Sequence, residues 1–94
     1  MFSGFLGRAG DEIFNQLAKW ERLSGGEFAL PIVIRVSTSK TYGSQHSQDW
    51  ASLIAHVPGV SIFCPATQND ASVLLLKALN MNSPTVVFEP KDLL

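Results

Sequence analysis

YGSQHSQDWASLIAHVPG (Tyr42–Gly59) carries the strongest structural signal in this chain: a polar loop holding an imidazole, followed at once by an amphipathic helix. Trp50, Leu53, Ile54 and Val57 recur at i, i+3, i+4 and i+7, the spacing of one buried helical face, with Ser47 available to cap the first turn and Pro58-Gly59 to close the last. Just upstream, FALPIVIRV sets Pro31 before Ile32, Val33 and Ile34, the pattern of a short strand buried on both faces. Such strands are usually parallel and central. Just downstream, VSIFCP is a second apolar run of strand length. A strand, a crossover helix and a second strand therefore surround the histidine.

The same alternation extends to both ends. Phe5, Ala9, Ile13, Leu17 and Trp20 fall close to one helical face, with Ser3 as cap and Ser24-Gly25-Gly26 as stop. Gly7 and Gly10 each weaken that helix by up to ~1 kcal/mol, so its first turns need tertiary support. Thr67 opens a capped third helix with Asp70 in its first turn and Ala71, Leu74, Leu75, Ala78 and Leu79 as its apolar face, and TVVFEP follows as a third strand. The order helix, strand, helix, strand, helix, strand predicts an α/β fold, a parallel sheet with flanking helices. Sites in such folds gather where the carboxyl ends of strands meet the next helix. Arg35 to Ser47 and Cys64 to Asp70 are the two crossover loops, and the first is longer, more polar and carries His46.

His46 is expected just before a helix N-terminus, where free N–H groups and the helix dipole disfavour imidazolium and favour a neutral ring able to donate and accept protons. The plainer alternative is a polar loop residue bonded to a neighbour. His56, late on the same helix, is expected to be structural.

With 94 residues, 46% hydrophobic and 16% charged, the composition describes one compact soluble domain with one core. A domain of this size is marginal unless a partner covers part of it. The net charge of -1 offers no basic field for nucleic acid or an anionic membrane, so neither is expected as a partner. No apolar run approaches the ~18 residues of a membrane span. The single cysteine, Cys64, lies in an apolar run and is expected to be a buried, inert thiol. His46 and His56 have no further ligands at zinc spacing, so no metal site is expected. The opening MFSGFLGRAG has a faint transit-peptide composition but runs into the helical pattern without a cleavage-like break, and is expected to be domain interior.

Three runs carry a resemblance: DEIFNQLAKWERLSGGEFALPIVIR, GSQHSQDWASLIAHVPGVSIFCPAT and SPTVVFEPKDLL. Together they are similar to the beta subunit of the thiamine diphosphate-dependent 2-oxo acid dehydrogenases, within the pyrimidine-binding domain of the transketolase superfamily. SGG, PIVIR, QHSQ, AHVPG and FEPK stand in the family's order and near its spacing, so residues 1–94 resemble a partial domain of that kind. The resemblance implies decarboxylation of a 2-oxo acid with acyl transfer to lipoamide. It implies a thiamine diphosphate site shared with an alpha-type subunit that holds the diphosphate and magnesium. A second beta-type subunit and a lipoyl carrier domain are the other implied partners, in the cytoplasm or the mitochondrial matrix. His46 matches the family's HSQ histidine, which faces the thiazolium and is implicated in placing the 2-oxo acid and in proton transfer. Phe5 matches an aromatic that packs on the aminopyrimidine, where a flat ring gives both area and orientation. The closing FEPKDLL is more like branched-chain members than pyruvate members.

The chain departs from the family in three respects. The family's catalytic glutamate matches a position upstream of Met1, and Glu12 and Glu27 are not placed to substitute for it. A potassium site found in some members corresponds to carbonyls at Ile32, Ala78 and Leu79 with an Asp and an Asn where this chain has Met81 and Ser83. A thioether is a poor replacement for a carboxylate around so hard an ion, so that site is expected to be weakened or lost. The loop before His46 is also shorter than usual in the family. The rival to an enzyme part is therefore a non-catalytic remnant or assembly module of the same fold. A serine hydrolase using Ser44 or Ser47 with His46 lacks the G-x-S-x-G elbow and any placed triad.

Overall fold

TVVFEP is the most deeply buried run of the chain, and it forms the middle of the sheet. In the computed structural model, which describes residues 1–93, β3 (Thr85–Pro90) lies between β1 (Val33–Thr38) and β2 (Ser61–Phe63). All pairings are parallel, in the registers Val33↔Thr85 to Thr38↔Pro90 and Ser61↔Thr85 to Phe63↔Val87. A β-branched run covered on both faces suits that place: Thr85, Val86 and Val87 are 0% exposed.

The expectation that PIVIRV is the central strand is corrected. Among the described strands β1 lies at an edge, it begins at Val33, and only Val36 within it is buried. Two runs of similar length and apolarity compete for the centre, and periodicity does not separate them. Arg35 makes use of the edge. Its guanidinium donates through Nε to Glu89 Oε1 at 2.7 Å and through Nη2 to Oε2 at 3.0 Å, a forked pair running diagonally across the β1–β3 register. Those bonds, and then the carboxylate's charge, push the Arg35 pKa up. Glu89 is buried and Arg35 half exposed, so the pair holds the only solvent-shielded acid of β3 in place.

The α4 helix (Gln68–Leu79) starts as expected. Thr67 Oγ1 accepts from the Asp70 N–H at 3.1 Å while the Thr67 N–H donates back to Asp70 Oδ2 at 3.0 Å, satisfying two otherwise free ends. Ala71, Leu74, Leu75 and Ala78 face inward. Leu79 does not: with Val73 and Leu76 it forms an exposed stripe.

The first segment is not one α-helix. It winds as a 3-10 helix over Ser3–Ala9, widens to a π-helix over Asp11–Leu17 and becomes α1 at Ala18–Leu23. A physical reason lies at Gly7, where an added Cβ would stand 2.7 Å from the Trp50 indole. Tight winding and a missing side chain let the downstream loop lie on this segment. Ser3 is not its cap either; it is buried, and its hydroxyl donates to the Gln48 carbonyl at 2.6 Å. The predicted stop holds, with the Gly26 N–H bonded to the Glu21 carbonyl at 2.8 Å. Leu6, Ile13, Val36, Ile54, Val86 and Phe88 close one core between this segment, the sheet and α3 (Ala51–Ala55). Among the described residues no helix is long and apolar enough to cross a membrane.

Candidate functional site

The loop that leaves β1 turns at Gly43, in a left-handed conformation (φ +75°), and forms the one-turn helix α2 (Gly43–His46). His46 is therefore the last residue of a short helix rather than the residue before a long one. The helix that follows, α3, is only five residues long, so Val57 falls outside it; it starts at Ala51, whose N–H is taken by Asp49 Oδ1 at 2.9 Å, so Asp49 and not Ser47 satisfies that end. The helix-dipole reason for a neutral imidazole thus does not apply at His46. A polar run such as YGSQHSQD has no periodicity that could have shown α2.

Packing against aromatic rings orients the imidazole. It stacks on Phe2 (centroids 4.5 Å apart, planes 22°) and meets Phe5 at 5.8 Å and 34°. Phe2 is pinned to the carboxyl end of β1 by its bridge to Ser37, whose N–H donates to the Met1 carbonyl at 2.6 Å. Tyr42 lies 5.6 Å from Phe2, and the Lys91 ammonium sits 4.7 Å from both of those rings. Among the described residues the His46 ring makes no hydrogen bond and no buried side-chain nitrogen or oxygen is left unpartnered, so its nitrogens remain accessible.

Phe5 and His46, the two site residues expected from sequence, line one cavity of about 360 Å³ together with Gly4, Arg8, Gln45, Gln48 and Trp50. Phe5 is 40% exposed, so part of its ring is open at the cavity. Trp50 Nε1 donates to Gln48 Oε1 at 2.7 Å, which holds the far wall. Sequence reasoning missed Phe2, Tyr42, Arg8 and Lys91. Phe5 and Arg8 stand three apart inside the 3-10 segment, a spacing that this winding alone makes meaningful.

The remaining expectations divide. His56 is exposed, which corrects its assignment as structural. Cys64 is exposed rather than buried; partial desolvation, then the nearby Asp49, push its thiol pKa up, so it is a poor nucleophile at neutral pH. Ser44 and Ser47 are exposed and neither bonds to His46, so nothing supports the hydrolase alternative. Thr85 Oγ1 points to Met81 Sδ at 3.7 Å. Among the described residues no three His, Cys, Asp or Glu side chains group as metal ligands do. A larger hollow of about 630 Å³ opens at the amino ends of the strands, where Leu30, Gly59 and Pro84 meet α1. It holds neither histidine, and sites in this architecture form at the opposite, carboxyl ends.

Comparison with known proteins agrees with the parallel α/β fold. The family model for the transketolase pyrimidine-binding domain matches residues 1–94. The beta subunit of the acetoin:2,6-dichlorophenolindophenol oxidoreductase of Cupriavidus necator is 39% identical over 99% of this chain and 28% of its own length. Its Bacillus subtilis counterpart is 37% identical over 97% of the chain and 27% of its own. The mitochondrial pyruvate dehydrogenase E1 component subunit beta of Caenorhabditis elegans is 37% identical over 95% of the chain and 26% of its own. The chain thus spans about a quarter of the length of the curated relatives it matches.

Proposed function

The chain belongs to the transketolase pyrimidine-binding domain family, and from that membership we propose that it is part of the beta-type subunit of a thiamine diphosphate-dependent 2-oxo acid dehydrogenase. One observation carries the reading: a partly open aromatic ring, Phe5, and an unbonded imidazole, His46, line the same cavity at the carboxyl end of the sheet. Thiamine diphosphate fits that lining, because a hollow of about 360 Å³ beside an exposed flat ring accepts a flat heteroaromatic. When bound, the cofactor supplies the electron sink for loss of carbon dioxide from the 2-oxo acid. Phe5 then orients the pyrimidine ring, and His46, held in plane by Phe2, holds or passes a proton at Nδ1 or Nε2 during acyl transfer to a lipoyl carrier. The diphosphate and magnesium belong to an alpha-type subunit in this proposal, and a second beta-type subunit completes the assembly.

The test is cofactor binding by the assembled complex. Replacing Phe5 by alanine is expected to weaken thiamine diphosphate about tenfold, the worth of one ring stack with its buried area, with little change in melting temperature. An unchanged dissociation constant counts against the site. The substrate is proposed to be a branched 2-oxo acid, from the likeness of FEPKDLL to branched-chain members, so the complex should show a higher specificity constant for 2-oxoisovalerate than for pyruvate. The reverse order removes that refinement. The proposed compartment is the cytoplasm or the mitochondrial matrix.

One feature favours the second reading, a non-catalytic assembly module: Val73, Leu76 and Leu79 form an apolar stripe left uncovered on α4. An assembled complex that forms normally but binds no cofactor would select it.

A further inference from the structure

We propose that Arg8 makes the His46 cavity selective for a ligand carrying a single carboxylate, which, on the functional reading above, is the 2-oxo acid itself. In a 3-10 helix, residues three apart stand directly above one another, so Phe5 and Arg8 form one ridge along Ser3–Ala9, while Phe2, the extended residue just before it, is held beside the imidazole by its bridge to Ser37. Phe2 and Phe5 pack on the imidazole, and Arg8 continues the ridge onto the cavity wall. The wall carries Arg8, His46, Gln45, Gln48, Phe5 and Trp50 and no acid.

Arg8 is also uncommitted. Among the described residues it has no carboxylate within ion-pair distance, whereas Arg35 is matched to Glu89 at 2.7 Å. The acid nearest in sequence, Asp11, accepts from Asn15 Nδ2 and Gln16 Nε2, each at 3.1 Å. Those two bonds, Gln16 first, also hold the Asp11 pKa down. Asp49 is occupied with the Ala51 N–H. A planar guanidinium offers a fork that fits a carboxylate, and the Gln45 and Gln48 amides beside it add donors without adding charge. One free cation matches a monoanion; a phosphate dianion would ask for more. Phe5 and Trp50 take the apolar remainder of the ligand.

The experiment uses the full-length protein labelled with 15N-arginine. It is titrated with oxamate, an unreactive planar monoanion shaped like a 2-oxo acid, with oxamide, its uncharged analogue, and with inorganic phosphate. Arg8→Gln identifies the Arg8 Nε signal by its loss. The expected result is a saturable shift of that signal with oxamate, at least about tenfold tighter than with oxamide; oxamate affinity measured by calorimetry, which needs no arginine signal, should fall about tenfold or more in Arg8→Gln. Arg8→Lys should recover part of it, since an ammonium keeps the charge and loses the fork. The proposal is overturned if oxamide binds as well as oxamate, if phosphate binds as tightly, or if Arg8→Gln stays within twofold of the parent. Oxamate binding is scored without cofactor, which separates the two ideas. A protein that takes oxamate at Arg8 but no thiamine diphosphate keeps this inference and loses the functional reading, and the converse result does the opposite.

Discussion

Replacing His46 by alanine in the assembled complex should lower turnover to the lipoyl acceptor by about 10²-fold or more, the usual worth of a positioned proton-transfer group. Cofactor affinity should change little, because Phe5 and not His46 offers the open ring area. Stability should change by no more than about 1 kcal/mol, the value of one aromatic stack, since the Phe2 ring keeps Tyr42 and Lys91 as neighbours. His56→Ala is the control. His56 is exposed, so its loss should leave both turnover and melting temperature near the parent values. A His46→Ala enzyme retaining most of its activity would return the imidazole to an ordinary loop residue.

Sequence patterns made the architecture legible wherever a period was long enough to express itself. The capped α4 helix and the Gly25-Gly26 stop follow from local chemistry that tertiary contacts do not override. Where an element's form depends on what packs against it, the pattern was insufficient. Phe5 to Trp20 has helical spacing, yet the Trp50 indole lying on Gly7 accompanies a tighter winding, and no propensity scale contains that contact. The choice of β3 over β1 for the centre is of the same kind, because two apolar runs differ only in what flanks them. At the site, motif likeness singled out Phe5 and His46, and both line one cavity. Phe2, Tyr42 and Lys91 stayed hidden because three residues remote in sequence meet only through the fold.

Gly59→Ala should be the most destabilising of the single changes considered. Gly59 precedes β2 with φ +95°, a conformation that costs an alanine about 1–3 kcal/mol by itself. The added Cβ would also run into the Ala18 carbonyl at the start of α1, a backbone atom with no rotamer to move away. Relief requires shifting α1 from the strand ends or reversing the turn, and either opens the hollow lined by Leu17, Leu30 and Pro84. A combined loss of about 3 kcal/mol or more is expected, a large fraction of the stability of a domain this small. At roughly 4–8 °C per kcal/mol, the melting temperature should fall by more than about 12 °C. Gly25→Ala separates the two causes: its φ is +71° but nothing lies within 4 Å of the new Cβ, so only the backbone term applies, about 1 kcal/mol. Thermal unfolding followed by circular dichroism decides between them. If the two variants melt within a few degrees of each other, the contact between Gly59 and Ala18 does not anchor the first segment to the sheet. The position of Phe5 and Arg8 over the cavity must then be set from the other end of that segment, by Ser3 on Gln48 and Trp50 on Gly7.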